Sequence, residues 1–172
     1  MGAAPDSQLL GRLALLRAAE GELGDAYGLL GAAASAATPA SVEREHFDLF
    51  VGLGRGELLP YASYYLTGFL HERPLADLRG DLARLGIERA EGIAEPEDHI
   101  AFLCETFAGL LAGAFAAEPD QAAPFFTRHI RPWAARMFAD LEKAEAAGFY
   151  RAVGRLGRLA VEIEAAAADL PA

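Results

Sequence analysis

A Glu-x-x-His pair is the first candidate for catalysis in this chain. Glu43 and His46 lie three positions apart on a predicted helix, which is the spacing that di-iron carboxylate proteins use to bind metal. Such a site needs the pair twice, together with further inward-facing glutamates. No other histidine follows a glutamate at that spacing. We therefore predict no metal and no cofactor, and keep a metal-dependent helical enzyme as an alternative.

Other catalytic chemistries have weaker support. The glycine cluster Gly52–Gly56 has neither the Gly-Lys-Ser/Thr ending nor the strand and helix that flank a phosphate-binding loop. Cys104 lies on the apolar stripe of a predicted helix, so we expect it to pack in the core with little access. None of the serines lies in a Gly-x-Ser-x-Gly elbow. The sequence therefore favours a binding protein over an enzyme and predicts no catalytic residue.

Two short segments have the composition of a partner-binding surface. In the first, Gly52–Tyr65, glycines precede Pro60 and a cluster of tyrosines, whose rings offer apolar area with a polar tip. The alternative for each tyrosine is that it only covers the core. In the second, Glu95–His99, acids at a helix start are explained in part by the helix dipole. His99, beside Asp98, has no capping role to fill in this interpretation.

The charge balance restricts the partners. Against 15 basic residues there are 25 acidic ones, for a net charge of -10, whereas a nucleic-acid-binding protein needs the opposite balance. An acidic surface repels anionic lipid, and the start of the chain lacks the pattern of a secretory signal. The most apolar stretch, 100–117, carries Glu105 and Thr106. We expect a cytoplasmic protein with no nucleic-acid or membrane partner, suited to cationic partners.

These residues are predicted to lie on helices or at their ends. Apolar residues recur at helical spacing and alternating strand patterns are missing, so the chain should be all-α and form a helical bundle. We expect one domain over 1–172, frayed at 1–6 and 169–172. The helix opened by Pro96 carries an apolar stripe to Phe115 and should cross the centre of the core. The predicted helices are Ser7–Glu22, Asp25–Ala37, Pro39 to the Gly52 cluster, Ala62–Leu70, Pro74–Gly86, Pro96–Phe115, 133–146 and 149–168.

Three ordered motifs stand out in the sequence: Glu45–Gly54 with Leu59–Tyr65, then Pro96–Ile100, and then Phe125–Trp133 with the pair Phe149-Tyr150. Together they resemble the motifs of the TorD/DmsD/NarJ-type chaperones, which serve molybdenum-containing oxidoreductases. The similarity covers about 42–160 and departs from the family pattern where Leu53 and Leu59 replace prolines and where Leu103 replaces a glutamate.

The resemblance implies a TorD-like fold and a non-enzymatic chaperone. It would bind the twin-arginine or N-terminal leader peptide, or the apo form, of a molybdoenzyme and assist cofactor insertion before export. A receptor for paired guanidinium groups followed by an apolar stretch needs carboxylates beside an apolar groove. The residues assigned to leader binding on this resemblance are Pro60, Tyr61, Ser63, Tyr65, Asp98, His99 and Glu105.

The resemblance also bears on the client. The Leu103-Cys104-Glu105 form is similar to chaperones of formate-dehydrogenase-like enzymes. An acidic protein–protein adaptor is the further alternative. The sequence is compatible with both a monomer and a helix-swapped dimer.

Overall fold

Helices dominate the computed structural model, which describes residues 3–89, 92, 94–115 and 120–170. Within these residues there is no β-strand, and the only β geometry is an isolated bridge between Tyr61 and His99. The all-α prediction is confirmed. Of the chain ends expected to fray, 1–6 and 169–172, residues 1–2 and 171–172 lie outside the described residues. No helix in the described part has the length and apolar character needed to cross a membrane. The helices are α1 (Ser7–Leu13), α2 (Glu22–Ala36), α3 (Pro39–His46), α4 (Ala62–Thr67), α5 (Arg73–Arg84), α6 (Ile100–Leu111), α7 (Ala122–Phe125), α8 (Ala134–Lys143) and α9 (Phe149–Ala168).

Local sequence signals set some of the helix ends. Thr38 begins α3 with a capping box, in which its side chain and that of Ser41 each accept a backbone N–H of the other residue. Pro39 takes the first helical position, where its missing N–H costs no hydrogen bond. The start of α3 and both ends of α9 therefore match the predictions.

The first helix is shorter than predicted. It ends at Leu13 instead of Glu22, and the following residues pack across α2 where that helix has glycines. A Cβ added to Gly31 would collide with the backbone carbonyl of Leu16, and Gly24 is covered in the same way. This close approach of loop and helix replaces the last turns that the periodicity suggested.

The helix expected at the centre of the core is largely exposed on one side. Only Ile100, Leu103 and Thr106 of α6 are buried. Leu111 is 61% exposed and Cys104 is also exposed. The predictions of a central helix and of a core-packed Cys104 are therefore wrong. Apolar residues cover more of the α6 surface than the side that is buried, so their spacing could not identify that side.

Two of the motifs contain a π-helical turn. One covers Phe47–Val51 directly after α3, and the other covers Phe126–Ile130 directly after α7. π-Turns are rare and frequently occur at functional sites. The first closes with a hydrogen bond from the N–H of Gly52 to the carbonyl of Phe47, and Gly52 has a positive φ of 61°.

The chain divides into two compact units. We name the units by the position of their main segments in the sequence. The flanking unit contains Ala3–Leu59 and Ala135–Glu164, and the central unit contains Pro60–Ala134 with the end of α9 from Ala165 onward. The single domain predicted from the sequence stays a prediction. In the central unit, Tyr65 packs on Trp133 with ring centroids 5.5 Å apart. The core cluster of the flanking unit contains Leu10, Leu30, Ala34, Val42, Phe149 and Ala152.

Candidate partner-binding site

The tyrosine segment and the Asp-His segment meet in the central unit. The N–H of Ala62 donates to the carbonyl of Asp98 over 3.0 Å, and the N–H of Ile100 donates to the carbonyl of Pro60 over 2.9 Å. These bonds form the antiparallel bridge between Tyr61 and His99. We name residues 60–65 together with 95–100 the Tyr61–His99 corner. The structure therefore brings together both segments that were predicted to form a partner-binding surface, and Trp133 of the third motif packs on Tyr65.

Asp98 caps a helix other than its own. Its side chain is 1% exposed, and its Oδ2 accepts the N–H of Ser63 over 2.9 Å, in the first turn of α4. Tyr61, the N-cap residue of α4, provides no side-chain acceptor for that turn. A carboxylate at a helix N-terminus satisfies an otherwise unpaired donor and interacts favourably with the helix dipole. Asp98 thus joins α4 to the segment that leads into α6.

His99 is the N-cap of α6. Its Nδ1 accepts the N–H of Ala101 over 3.1 Å, and the residue is 6% exposed. The expectation that His99 has no capping role is therefore wrong. It arose because the helix was expected to begin at Pro96, whereas α6 begins at Ile100. The imidazole also packs edge-on against the Tyr61 ring, with centroids 5.2 Å apart.

Tyr61 and Glu95 form a polar pair at this corner. The half-buried Tyr61 donates its hydroxyl proton to Oε1 of Glu95. Burial, and next the bonded Glu95 carboxylate, raise the pKa of Tyr61 well above its ordinary value, so the phenol stays neutral. Burial opposes ionisation of Glu95, but hydrogen bonds including that from Tyr61 outweigh it and lower its pKa. Glu95 lies in a segment predicted to bind a partner, but it was not among the predicted site residues.

Glu97 is held in an ion-pair network. Its Oε2 lies 2.8 Å from Nη2 and 3.0 Å from Nε of Arg79, while its Oε1 lies 3.9 Å from Nε of Arg89. Its side chain is only 12% exposed. Nothing in the sequence separates Glu97 from Glu95, because the arginines that distinguish them come from other segments.

The remaining predicted site residues occupy different environments. Pro60 and Tyr65 are buried, and Ser63 is fully enclosed, with its Oγ lacking a hydrogen-bond partner among the described residues. Glu105 is exposed on α6. Their role in leader binding stays a prediction.

A cleft of about 120 Å³ opens in the same unit. Leu66 contributes to its wall and is 45% exposed, and it is followed by Phe69, which is 69% exposed. An apolar cleft with an exposed apolar margin is typical of a site for a partner's side chain. The cleft is lined by Ala62, Leu66, Pro74, Asp77, Leu78, Leu103, Arg128 and His129.

A buried polar pair adjoins the cleft. Nε2 of His129 lies 2.6 Å from Oδ2 of Asp81, and both residues are buried. Asp81 also pairs with Arg84, and Nη1 of Arg128 lies 3.3 Å from its Oδ2. Sequence reasoning did not assign His129 or Asp81 to the site. The third motif, which contains His129, was the available signal.

Glu43 and His46 are not part of a group of three potential metal ligands among the described residues. Glu43 is exposed, and the His46 ring packs against Phe50 with centroids 5.3 Å apart. Within the described ranges, no three His, Cys, Asp or Glu side chains come together as a metal-binding group. The geometry therefore provides no ligand set for the metal-dependent alternative in that part of the chain.

Comparisons with known proteins identify relatives of this chain. Residues 16–139 match the family model for the nitrate reductase delta subunit. The chaperone protein TorD of Vibrio cholerae serotype O1 (strain El Tor Inaba N16961) is 30% identical over 122 residues, which cover 63% of this chain and 54% of that protein. TorD of Aliivibrio fischeri is 29% identical over 116 residues, covering 62% and 54%. The chain thus spans about half the length of the curated relatives it matches.

Proposed function

This chain belongs to the nitrate reductase delta subunit family, and on that premise we propose that it is a chaperone for the maturation of a molybdenum-containing oxidoreductase. It binds the client's leader peptide or apo form and performs no catalysis. Relatives named as TorD chaperones support this role. The observation that carries the leader-binding part is the joining of the tyrosine and Asp-His segments in the unit that contains the cleft.

The chemistry of a twin-arginine leader matches these features. Such a leader presents paired guanidinium groups and then an apolar stretch. The cleft offers the side chains of Leu66, Leu78 and Leu103 for the apolar part. Exposed ion pairs contribute only about 0.2–1 kcal/mol each, whereas buried apolar area contributes roughly 25 cal/mol per Å². Most of the affinity should therefore come from the cleft, and charge should select the partner and speed encounter.

Asp77 supplies a carboxylate at the cleft itself. Its described ion-pair partner, Arg73, lies 3.6 Å away, and the Arg73 side chain is 88% exposed. An exposed i,i+4 pair of this kind is weak. A client arginine can therefore replace Arg73 at Asp77 at small cost, while the neighbouring apolar residue enters the cleft.

The finer identity of the client is part of the proposal. The Leu103-Cys104-Glu105 form favours a formate-dehydrogenase-like client, bound in the cytoplasm before any export. The structure adds that Leu103 lines the cleft and that Glu105 is exposed. Co-purification with candidate apo-enzymes, of which some are formate-dehydrogenase-like and others are not, tests this assignment of the client. We expect a formate-dehydrogenase-like enzyme to be retained.

Isothermal titration calorimetry with a twin-arginine leader peptide tests leader binding. We expect saturable heat, with weaker binding of a peptide in which both arginines are replaced by lysine. The absence of heat with every leader of the host's molybdoenzymes would contradict leader binding. Because a client without a leader gives the same result, retention of the apo-enzyme on the immobilised chaperone is measured in parallel.

A further inference from the structure

We infer that the cleft of the central unit selects a threonine of the client, whose hydroxyl donates a hydrogen bond to Nδ1 of His129 while its methyl group contacts the apolar wall. Asp81 is the positioning residue, because it determines which imidazole nitrogen is the acceptor. The inference rests on the proposed function and deepens it, since it names the client side chain that enters the cleft. Neither His129 nor Asp81 is among the residues that the resemblance assigned to leader binding.

The Asp81 carboxylate fixes the position of the imidazole proton. Arg84 pairs with its Oδ1, and Nη1 of Arg128 lies 3.3 Å from its Oδ2, so two guanidinium groups hold Asp81 in its ionised form. An ionised carboxylate can only accept hydrogen bonds. Nε2 of His129, which lies 2.6 Å from Oδ2, therefore carries the proton of this contact.

The other imidazole nitrogen is an acceptor. Burial, and next the Arg128 charge, lower the pKa of His129 to about 4, so the ring is neutral at neutral pH. The two guanidinium groups on Asp81 offset the charge with which that carboxylate would favour an imidazolium. A neutral imidazole with its proton on Nε2 has a lone pair on Nδ1.

Nδ1 of His129 is available to a ligand. It has no hydrogen-bond partner within the described residues, and it is not among the enclosed polar atoms that lack one. The residue lines the cleft. It is also held on two further sides, because Nε1 of Trp133 donates to its carbonyl oxygen over 2.8 Å and the Phe125 ring packs at a centroid distance of 5.1 Å. The acceptor is therefore oriented before a ligand arrives.

The walls of the cleft determine which donor fits. Its volume of about 120 Å³ is below the roughly 150 Å³ of a cavity that holds benzene, so it admits a small side chain. The apolar wall, which includes Leu66, Leu78 and Leu103, favours a methyl group. A side chain without a donor would cover Nδ1 and leave it unpaired, which is unfavourable. Threonine supplies both groups, valine lacks the hydroxyl, and serine lacks the methyl.

Calorimetry with matched leader peptides tests the choice of side chain. The peptides carry threonine or valine directly before or directly after the arginine pair, because Asp77 at the cleft is the proposed partner of a client arginine. At one of these positions we expect the parent protein to bind threonine roughly fivefold more tightly than valine, as one hydrogen bond predicts. His129→Phe keeps a ring without the acceptor and should reduce this ratio to about one or below. Asp77→Asn is the matched control, which should weaken both peptides and keep the ratio within about twofold.

NMR of histidine labelled with ¹⁵N tests the role of Asp81. The signals of His129 are those missing from His129→Phe, and we expect them to show the Nε2–H tautomer in the free parent protein. Asp81→Asn should mix the tautomers, because an amide can also donate to Nε2. Asp77→Asn should not mix them. The Nδ1 resonance of the parent protein should shift with the threonine peptide and stay in place with the valine peptide.

The outcomes separate the inference from the proposed function. If the parent protein binds the peptides but prefers threonine at neither position, or if His129→Phe retains the preference, the inference is wrong and leader binding stands. An Nδ1–H tautomer or an imidazolium in the free parent protein at neutral pH would also overturn it, and an unmixed tautomer in Asp81→Asn would remove Asp81 from it. If the parent protein binds none of the peptides, leader binding and this inference both fail. Should His129→Phe not fold, a shift of Nδ1 that is specific to the threonine peptide decides, with the signals assigned from the other histidines.

Discussion

Glu45 in the flanking unit and Asp98 in the central unit perform the same structural task in different surroundings. Each belongs to a motif and caps a helix that is distant in the sequence. Glu45 accepts three backbone N–H groups where α9 begins, from Gly148, which precedes the helix, and from Phe149 and Tyr150, over 2.7, 2.9 and 2.6 Å. Within the described residues, the Asp98 side chain accepts the N–H of Ser63.

Residues near Glu45 are held by ring packing and by hydrogen bonds. Next to it in sequence, the His46 ring packs edge-on against Phe50, and Phe50 packs edge-on against Tyr150. Glu57, from the same part of the chain, accepts the N–H groups of Glu145 and Ala146 over 2.7 and 3.0 Å. Helix capping and packing therefore account for this motif.

Several features near Asp98 and in the same unit are not explained by a contribution to stability. The enclosed Oγ of Ser63 lacks a described hydrogen-bond partner, and the same unit exposes Phe69 and contains the cleft. Exposure of an apolar side chain does not by itself identify a binding site, because Val51 of the flanking unit is 45% exposed. The flanking unit also has a pocket, of about 700 Å³, and a buried Arg155 Nε without a described partner. What separates the central unit is that two motif segments join beside the enclosed Ser63 hydroxyl. Departures from full satisfaction concentrate at functional sites.

Removal of the buried cap should have the largest effect. Asp98→Ala leaves the N–H of Ser63 without its acceptor inside the protein, so we expect the free energy of unfolding to fall by about 1–3 kcal/mol. Urea denaturation measures this change. Asp98→Asn is the matched control and should lose less, because its amide oxygen can still accept the bond. Equal losses in the two variants would show that the charge of Asp98, and not its acceptor, stabilises α4.

Removal of the flanking cap should have a smaller effect. Glu45→Ala exposes three donors to water at a more accessible position, and we expect a loss of about 0.5–2 kcal/mol. Amide hydrogen exchange should accelerate at residues 148–150 before it does in the rest of α9. Unchanged protection at these residues would show that Glu45 does not cap α9 in solution.

Alkaline pH should weaken the central corner through Tyr61. The raised pKa of the folded phenol means that its neutral form stabilises the folded state, and this contribution is complete below the unfolded pKa of about 10. Above that pH the unfolded chain ionises first, so the free energy of unfolding should fall as pH rises. The urea concentrations at the midpoint of unfolding, compared at pH 8 and at about 10.8, measure this loss of stability.

Tyr61→Phe should remove part of this alkaline loss. Tyr150→Phe provides the matched variant in the flanking unit, because burial and then the Glu45 charge also raise the pKa of Tyr150. Both variants should therefore lose less stability than the parent protein between the two pH values. An unchanged pH slope in both variants would contradict the raised tyrosine pKa values.

The smallest stability effect is expected at the margin of the cleft. Leu66→Ser and Val51→Ser replace side chains of equal exposure, 45% in each case, and each should change the free energy of unfolding by no more than about 0.5 kcal/mol. Only Leu66→Ser should weaken binding of the leader peptide, by roughly fivefold for partial burial of one leucine. Equal peptide affinities in the two variants would exclude the cleft from the binding surface.

The predicted helices show which signals are local. The start of α3 at Pro39 and the span of α9 follow from caps and periodicity within their own segments. The end of α1 could not be predicted from local signals, because it depends on how the chain crosses the glycines of α2. The apolar residues around α6 likewise could not identify the buried face, which led to the wrong placement of Cys104.

The predicted site shows the same division. Tyr61, Asp98 and His99 were selected from residue types and motifs, and their segments do meet. The environments of individual residues in these segments could not be predicted, because they depend on distant residues. Asp98 bonds to Ser63, 35 positions away, and Glu97 pairs with Arg79, 18 positions away.

Helical character, acidic charge and the motif residues are properties of the chain itself, because they depend on composition and on spacing over a few residues. Which carboxylate is buried, which is paired and which reaches solvent is decided only in the folded molecule. A carboxylate's environment depends on donors and apolar groups brought from distant segments, and local spacing carries no information about them. For this reason Glu95, one of several similar acids in the sequence, has a distinct position only in the tertiary structure.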